Sequence, residues 1–128
     1  MTIAYADAHD LLERLVAARV DHSGDAFTAL FTPEAEVALD PFATPLTGHN
    51  ALRAYLNDAA GAERGYELVI ERHWVSGDTV LAAWHANWSR PSDEAKVRQA
   101  GFLSAEGGGD RRITRLRLWT VTREHLAG

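Results

Sequence analysis

Leu11, Leu12, Leu15, Val16 and Val20 recur at helical spacing, with Glu13, Arg14 and Arg19 set on the other side and Asp7 available as a cap. This predicts an amphipathic helix over residues 7–22. Beyond Ser23 and Gly24, Phe27, Leu30 and Phe31 fall at i, i+3 and i+4. A short second helix is expected there, capped by Asp25 and ended by Pro33. Residues 35–40 read as extended, and Pro41 and Pro45 then break the pattern. A third helix is expected from Thr47 or Gly48, carrying Leu52, Tyr55, Leu56 and Ala59 on one stripe and stopping at Gly61.

From Tyr66 onward the helical period disappears and four strand-like runs follow, over 66–76, 79–90, 95–105 and 112–122. Gly77-Asp78, Pro91-Ser92-Asp93-Glu94 and Gly107-Gly108-Gly109-Asp110 punctuate them. Helices first and an antiparallel meander after them make an α+β pattern, not alternating βαβ units. The first hairpin carries a register test. A two-residue turn at Gly77-Asp78 with no irregularity would set each strand's apolar row against the other's polar row. One extra loop residue, or a bulge beside the turn, aligns Tyr66, Leu68, Ile70 and Trp74 with Val80, Ala82, Trp84, Ala86 and Trp88. That register is preferred, because it gives one apolar face and an opposite face of Glu67, Glu71, His73, His85 and Asn87.

The chain has 128 residues, enough for one core, so a single domain over 1–128 is expected. Thirteen basic and eighteen acidic residues leave a net charge of −5, which disfavours a nucleic-acid partner. With no cysteine, thiolate zinc sites, disulfides and cysteine nucleophiles are excluded. No apolar run approaches the ~18 residues of a membrane span. A cytoplasmic protein without a membrane or nucleic-acid partner is the expectation.

Several stretches carry a resemblance to a known family. Asp40-Pro41-Phe42, then Pro45-Leu46-Thr47-Gly48-His49 and Leu52-Arg53-Ala54-Tyr55, resemble the segment through which the nuclear transport factor 2-like superfamily enters its third helix. Ser76-Gly77-Asp78-Thr79-Val80-Leu81-Ala82 resembles that superfamily's first hairpin, and Gly109-Asp110-Arg111-Arg112-Ile113 its turn into the last strand. The SnoaL-like and ketosteroid-isomerase-like branches are the nearest in pattern. The resemblance implies a cone-shaped, curved antiparallel sheet wrapped around three N-terminal helices, with an internal pocket. It also implies a homodimer formed through the outer sheet face. In ketosteroid isomerase an aspartate abstracts a proton while a tyrosine and a protonated aspartate stabilise the oxyanion. Asp40 matches that base by motif, although the stretch from Phe31 to Asp40 is one residue longer than the isomerase pattern. The first helix has apolar residues near Val16 in place of the tyrosine, and residues 98–101 hold no carboxylate. Thr120 follows Trp119 where the SnoaL cyclases show an acid.

Asp40, flanked by Leu39, Pro41 and Phe42, is thus the candidate catalytic acid or base; the bland alternative is an Asp-Pro turn whose carboxylate accepts a backbone hydrogen bond. Tyr55, Phe42, Trp74, Trp84, Trp88, Phe102 and Trp119 are the candidate ligand-lining residues, with plain core packing as the competing role. Six histidines show no metal-ligand spacing, so no metal is expected. His73 or His85 is the second acid or base that a dehydratase would need. His49 sits near the start of the third helix, where a positive charge is disfavoured. Arg115 and Arg117 alternate with Leu116 and Leu118 on the outer face of the last strand, and glycines 107–109 precede no phosphate-binding helix.

Two functions follow as expectations. The first is a cofactor-independent enzyme that uses Asp40 for isomerisation, cyclisation, dehydration or epoxide opening of an apolar cyclic or polyketide-like substrate. The second is a non-catalytic module that binds a small hydrophobic molecule or associates as a dimer through the same fold.

Overall fold

A computed structural model describes residues 3–107 and 111–125; the glycine-rich turn into the last strand therefore lies largely outside the described residues. Three helices, α1 (Tyr5–Val20), α2 (Gly24–Thr28) and α3 (His49–Ala62), are joined to six strands. The strands are β1 (Phe31–Ala38), β2 (Leu46–Thr47), β3 (Arg64–Ser76), β4 (Thr79–Ser89), β5 (Lys96–Gly107) and β6 (Ile113–His125). The sheet runs in the order β2-β1-β6-β5-β4-β3; it is curved and unclosed. It is antiparallel throughout except where β1 lies parallel to β6. Among the described residues no helix is long and apolar enough to cross a membrane.

The helix ends differ in detail from the sequence expectation. α1 begins at Tyr5 after Ala4, and Asp7 sits in its first turn, where a negative charge complements the helix dipole. Ser23, not Asp25, caps α2: its Oγ accepts from the Ala26 N–H at 3.2 Å. Asp25 is left to pair with Arg53 of α3. Pro33 does not end α2, which stops at Thr28 and is followed by β1, with Pro33 inside that strand. α3 runs through Gly61 to Ala62 and turns off at Glu63 in an extended conformation.

The hairpin of β3 and β4 corrects the register. Gly77 and Asp78 form a two-residue connection, with Ser76 opposite Thr79 and Gly77 at φ 61°, as a type II′ turn requires at its first central position. The irregularity sits farther along, between Ile70 and Arg72, where Glu71 is the extra residue of a bulge. Beyond it, Ile70 faces Trp84 and Leu68 faces Ala86 as expected. Between turn and bulge every side chain is inverted: Val75 and His73 point to the core, and Trp74 points outward beside Leu81. A bulge shifts the alternation only on its own far side, so its position decides which aromatic enters the core.

The core lies between the inner sheet face and the helices. Leu12 and Leu15 of α1, Leu52 and Leu56 of α3, and Phe27 and Phe31 pack against Val80, Ala82, Trp84, Leu103, Ile113 and Leu116. Trp84 pairs across strands with Gly101, so the widest inward side chain faces the narrowest. Gly101 is required there, because a Cβ would collide with the Trp119 carbonyl as β6 closes over it.

Candidate functional site

A half-open cavity of about 70 Å³ lies between α1, α3 and the inner sheet face. Its wall is mostly apolar: Leu15, Phe27, Val37, Leu39, Leu68, Leu103, Leu116 and Leu118. Arg19, Tyr55, Tyr66 and Gln99 supply its polar atoms, and the Trp84 indole completes the wall. Gln99 is occupied, with its Nε2 donating to Thr122 Oγ1 at 3.2 Å.

Arg19 corrects the sequence reading, which set it on the solvent side of α1. Ala8, Leu12 and Leu15 are buried on this helix, and Arg19 extends their row by four residues from Leu15. Its side chain is only 11 % exposed. The guanidinium donates to both oxygens of Glu63, at 2.8 and 2.7 Å, and His22 Nε2 meets Glu63 Oε1 at 2.8 Å. His22 reaches that carboxylate from a left-handed conformation at φ 51°, just after α1 ends. Arg19 also lies over the Tyr66 ring at 4.2 Å and the Tyr55 ring at 5.4 Å. Glu63, the first residue past α3, is thereby pulled into the fold, with its side chain 8 % exposed.

These contacts set the protonation states. Burial disfavours the Arg19 cation, but the Glu63 hydrogen bonds and the fields of Tyr55, Tyr66 and Glu63 outweigh it and hold its pKa above the ordinary arginine value. Burial pushes the Tyr66 hydroxyl up to about 12, against the opposing pull of Arg19. At neutral pH both groups therefore hold their protons and act as hydrogen-bond donors. Trp84 stands in the same wall, with its Nε1 buried behind it, closed to the cavity space and without a partner. The cavity wall can hold and polarise an acceptor atom, yet none of its lining groups is a carboxylate or imidazole able to take a proton.

The other sequence candidates are spread over the molecule. Asp40 is exposed in the loop after β1, and its Oδ1 accepts from the Phe42 N–H at 2.8 Å. That is the Asx turn weighed as its bland role, and it aims the carboxylate at its own backbone. Its neighbour Leu39 does line the cavity. Phe42 is 98 % exposed and is not part of the cavity wall. Tyr55 and Trp84 are in the wall; Trp88 packs behind it against Tyr66, with ring centroids 5.4 Å apart. Trp74, Phe102 and Trp119 are corrected from the inner to the outer sheet face: the bulge at Glu71 turns Trp74 out to stack on Phe102 at 6.2 Å, and Phe102 pairs with Trp119.

The histidines likewise separate. His85 Nδ1 meets Glu71 Oε1 at 2.7 Å on the outer face, whereas His73 is buried beneath Tyr5, their rings stacked at 4.1 Å. His73 lines a groove between α1 and β3, away from the cavity. His49 opens α3 and its Nε2 donates to the Phe31 carbonyl at 3.0 Å. Among the described residues no group of three or more potential metal ligands gathers.

A cone of this topology with an apolar, donor-bearing interior defines the class, and sequence comparison assigns the family. The profile of the SnoaL-like domain matches residues 12–116, and the chain belongs to that family. No curated protein sequence matches the chain. Among solved structures, the epoxide hydrolase/cyclase-like enzyme SalBIII, described for its role in pyran ring formation in the polyether salinomycin, is similar. It superimposes with a TM-score of 0.79 at 16 % identity, over 89 % of this chain and 90 % of that one. A protein of ketosteroid isomerase-like fold from Catenulispora acidiphila, in complex with trimethylamine, gives 0.78 at 13 % identity over 86 % and 84 % of the two chains. A computationally designed 17-OHP binder gives 0.77 at 13 % over 93 % and 98 %. At these identities the likeness is one of fold.

Proposed function

We propose that this SnoaL-like chain binds a small, mainly apolar molecule in the cavity between its helices and its sheet. One observation carries the reading: the cavity wall is mostly apolar, with the few polar groups of Arg19, Tyr55, Tyr66 and Gln99, and none of its lining residues is a carboxylate or imidazole. The computationally designed 17-OHP binder, similar in fold, supports a receptor role. At about 70 Å³ the space takes only a few non-hydrogen atoms, so a larger ligand must displace wall side chains, and Leu39, Tyr55, Leu68 and Leu118 are half-buried ones able to move. A titration with a panel of small cyclic molecules, followed by amide chemical shifts, tests this. Shifts centred on Tyr66, Leu68 and Leu103 are expected, and Leu103→Trp, which fills the cavity, abolishes them. A panel that moves none of these resonances overturns the reading.

A second reading keeps an enzyme of the isomerase, cyclase, dehydratase or epoxide-opening type, without a cofactor, on a polyketide-like substrate. Its support is that Leu39 lines the cavity, one residue before Asp40. Release of the Phe42 amide would then free the Asp40 carboxylate to turn toward the cavity, as an acid or base beside the donors of Arg19 and Tyr66. The similarity to SalBIII, an epoxide hydrolase/cyclase-like enzyme, makes epoxide-containing substrates the first to try. Asp40→Asn should abolish such turnover while leaving ligand binding in place; unchanged turnover removes Asp40 from the chemistry.

The apolar outer face supports a homodimer as the assembled form. Trp74, Phe102, Trp119 and Val121 are 37 %, 54 %, 41 % and 76 % exposed on one sheet face, a density of exposed apolar area that marks association sites. Sedimentation velocity of the native chain against Phe102→Asp is the check: a native dimer and a variant monomer are expected, and a monomeric native chain refutes the dimer.

A further inference from the structure

We infer that a groove at the sheet end remote from the Gly77-Asp78 turn binds a small molecule carrying a phosphate monoester, held between the guanidinium groups of Arg98 and Arg123. This site is separate from the cavity and does not depend on the reading above.

Strand register assembles it. Along β4, Trp84, Ala86 and Trp88 point to the core, which leaves Asn87 and Ser89 on the outer face. Cross-strand pairing carries that face through the neighbouring strands. Arg64, Ser89, Lys96 and His125 form one transverse row, and Glu67, Asn87, Arg98 and Arg123 form the next. The Arg98–Arg123 pair lies two rows beyond Phe102 and Trp119, past Ala100 and Val121, and so outside the aromatic patch. A concave space of about 620 Å³ opens at these rows, with Arg64, Asn87, Ser89, Lys96, Arg98 and His125 as its polar lining. That is the size of a small-molecule site.

The groove is electrostatically one-sided. None of its lining residues is a carboxylate. Among the described residues Arg64, Lys96, Arg98 and Arg123 make no hydrogen bond or ion pair through their side chains. Other outer-face arginines are engaged: Arg72 lies over the Trp74 ring at 5.1 Å, Arg117 over the Trp119 ring at 5.4 Å, and Arg115 is 3.9 Å from Glu106. Glu124, beside Arg123 in sequence, is held by Arg90, and Asn87 stands between Glu67 and Arg98 in their row. Arg98 and Arg123 therefore face each other as like charges directly opposed across two strands, a destabilising arrangement that an anion between them reverses. This concentration of free cations occurs in a chain of net charge −5.

The number of cations selects the anion. Each guanidinium presents a fork of donors matched to paired oxygens of carboxylate or phosphate. A carboxylate brings a single charge to this group of cations. A phosphate monoester brings nearly two at neutral pH, and three terminal oxygens that serve both forks, with Lys96 alongside. Asn87 and Ser89 add uncharged donors. A nucleic-acid strand fits less well, because the free cations stop at one end of the sheet and do not track along it.

Phenyl phosphate, benzoate and a short oligothymidylate, titrated into the full chain at fixed ionic strength and about pH 7.5, where the monoester is mostly dianionic, test the inference. Phenyl phosphate is expected to shift the amides of Asn87, Lys96, Arg98 and Arg123 and to bind about tenfold more tightly than benzoate. Arg98→Gln combined with Arg123→Gln should weaken it about tenfold, whereas Arg72→Gln with Arg115→Gln, an equal loss of charge on the same face, should change it by less than about twofold. Without ligand, the first double variant should melt no lower than the native chain, since it relieves a like-charge pair. Equal binding of phenyl phosphate and benzoate, or equal weakening by the two double variants, reduces the groove to a diffuse positive field and overturns the site. A ligand-free variant that melts lower refutes the uncompensated pair. Tighter binding of the oligothymidylate, with shifts spreading to Trp74 and Trp119, replaces the small phosphate by a nucleic-acid strand. If about 10 mM phenyl phosphate moves none of the four amides, the groove holds no such ligand.

Discussion

Two arginine clusters in this chain use the same chemistry in opposite settings. Arg19 binds Glu63 through two hydrogen bonds in the cavity wall, with both side chains almost wholly buried. Arg90, at the end of the β4–β5 hairpin, grips Asp93 and Glu124 through four hydrogen bonds between 2.9 and 3.2 Å, at the surface. More bonds do not make the second cluster the stronger one. Water and salt screen the exposed network, and its charges lose little if a partner leaves. The buried pair has no such reserve, so its stability depends on staying complete. Proximity to the cavity therefore comes with a requirement that Glu63 remain charged and in place.

The comparison is broken most forcefully at Glu63. Glu63→Gln leaves a buried guanidinium without its counter-charge, and a loss of about 3–5 kcal/mol is expected in urea unfolding. A loss within error of zero would show that water reaches Arg19 freely. The next effect is on the alkaline side. The Tyr66 hydroxyl is raised in the folded chain, to about 12 from an ordinary 10, so its stabilising contribution is complete below pH 10 and is lost as pH climbs toward 12. A shift of that size corresponds to about 2–3 kcal/mol. Tyr66→Phe should flatten the decline of melting temperature over that interval. A variant that declines as steeply as the native chain places the alkaline transition elsewhere.

Replacing both partners sharpens the contrast further. Arg19→Met together with Glu63→Leu should recover most of what Glu63→Gln loses, because an apolar pair of similar volume removes both buried charges. If the double variant is no better than the single one, packing rather than charge dominates the site. The smallest effect belongs to the surface. Hydrogen bonds from Arg90 hold Asp93 and Glu124 below the usual carboxylate range, so their contribution is present above that range and fades as pH falls. Both carboxylates are exposed, and Glu124→Gln should barely move the melting temperature in low salt and not at all in high salt. A salt-insensitive loss would contradict the distinction drawn between the two clusters.

Much of the fold was legible in the chain because its signals are repetitive. Three helical stripes, four long strand runs and Gly-Asp or Pro-Ser-Asp punctuation each involve many residues, so an error at one end leaves the element standing. The helix caps show the limit: Ser23 rather than Asp25 caps the start of α2, a choice between residues two positions apart that local sequence does not separate. The bulge at Glu71 shows a deeper one. A single extra residue, whose location depends on pairing with β4, decides that Trp74 lies outside and His73 inside.

The candidate site was legible in half. Tyr55 and Trp84 stood on predicted inward rows and do line the cavity. Arg19 was misplaced because a charged residue on a helix is ordinarily solvated, yet its spacing from Leu12 and Leu15 put it on the buried row. Glu63 and His22 gave no local signal at all, being distant from each other in sequence and joined through side chains, with Arg19 and His22 both meeting the Glu63 carboxylate. Asp40 illustrates the converse: its motif was distinctive, and the structure gives its carboxylate to the Phe42 amide.

The central claim is that a ligand binds in the cavity rather than at the Asp40 loop. A crystal soaked with cyclopentanone tests that claim most directly. Density within the wall formed by Tyr66, Leu68, Trp84 and Leu103 is expected, with Asp40 still holding the Phe42 amide. Density in the open loop at the Asp40 carboxylate, or on the outer face between Trp74 and Trp119 with the cavity empty, would contradict it.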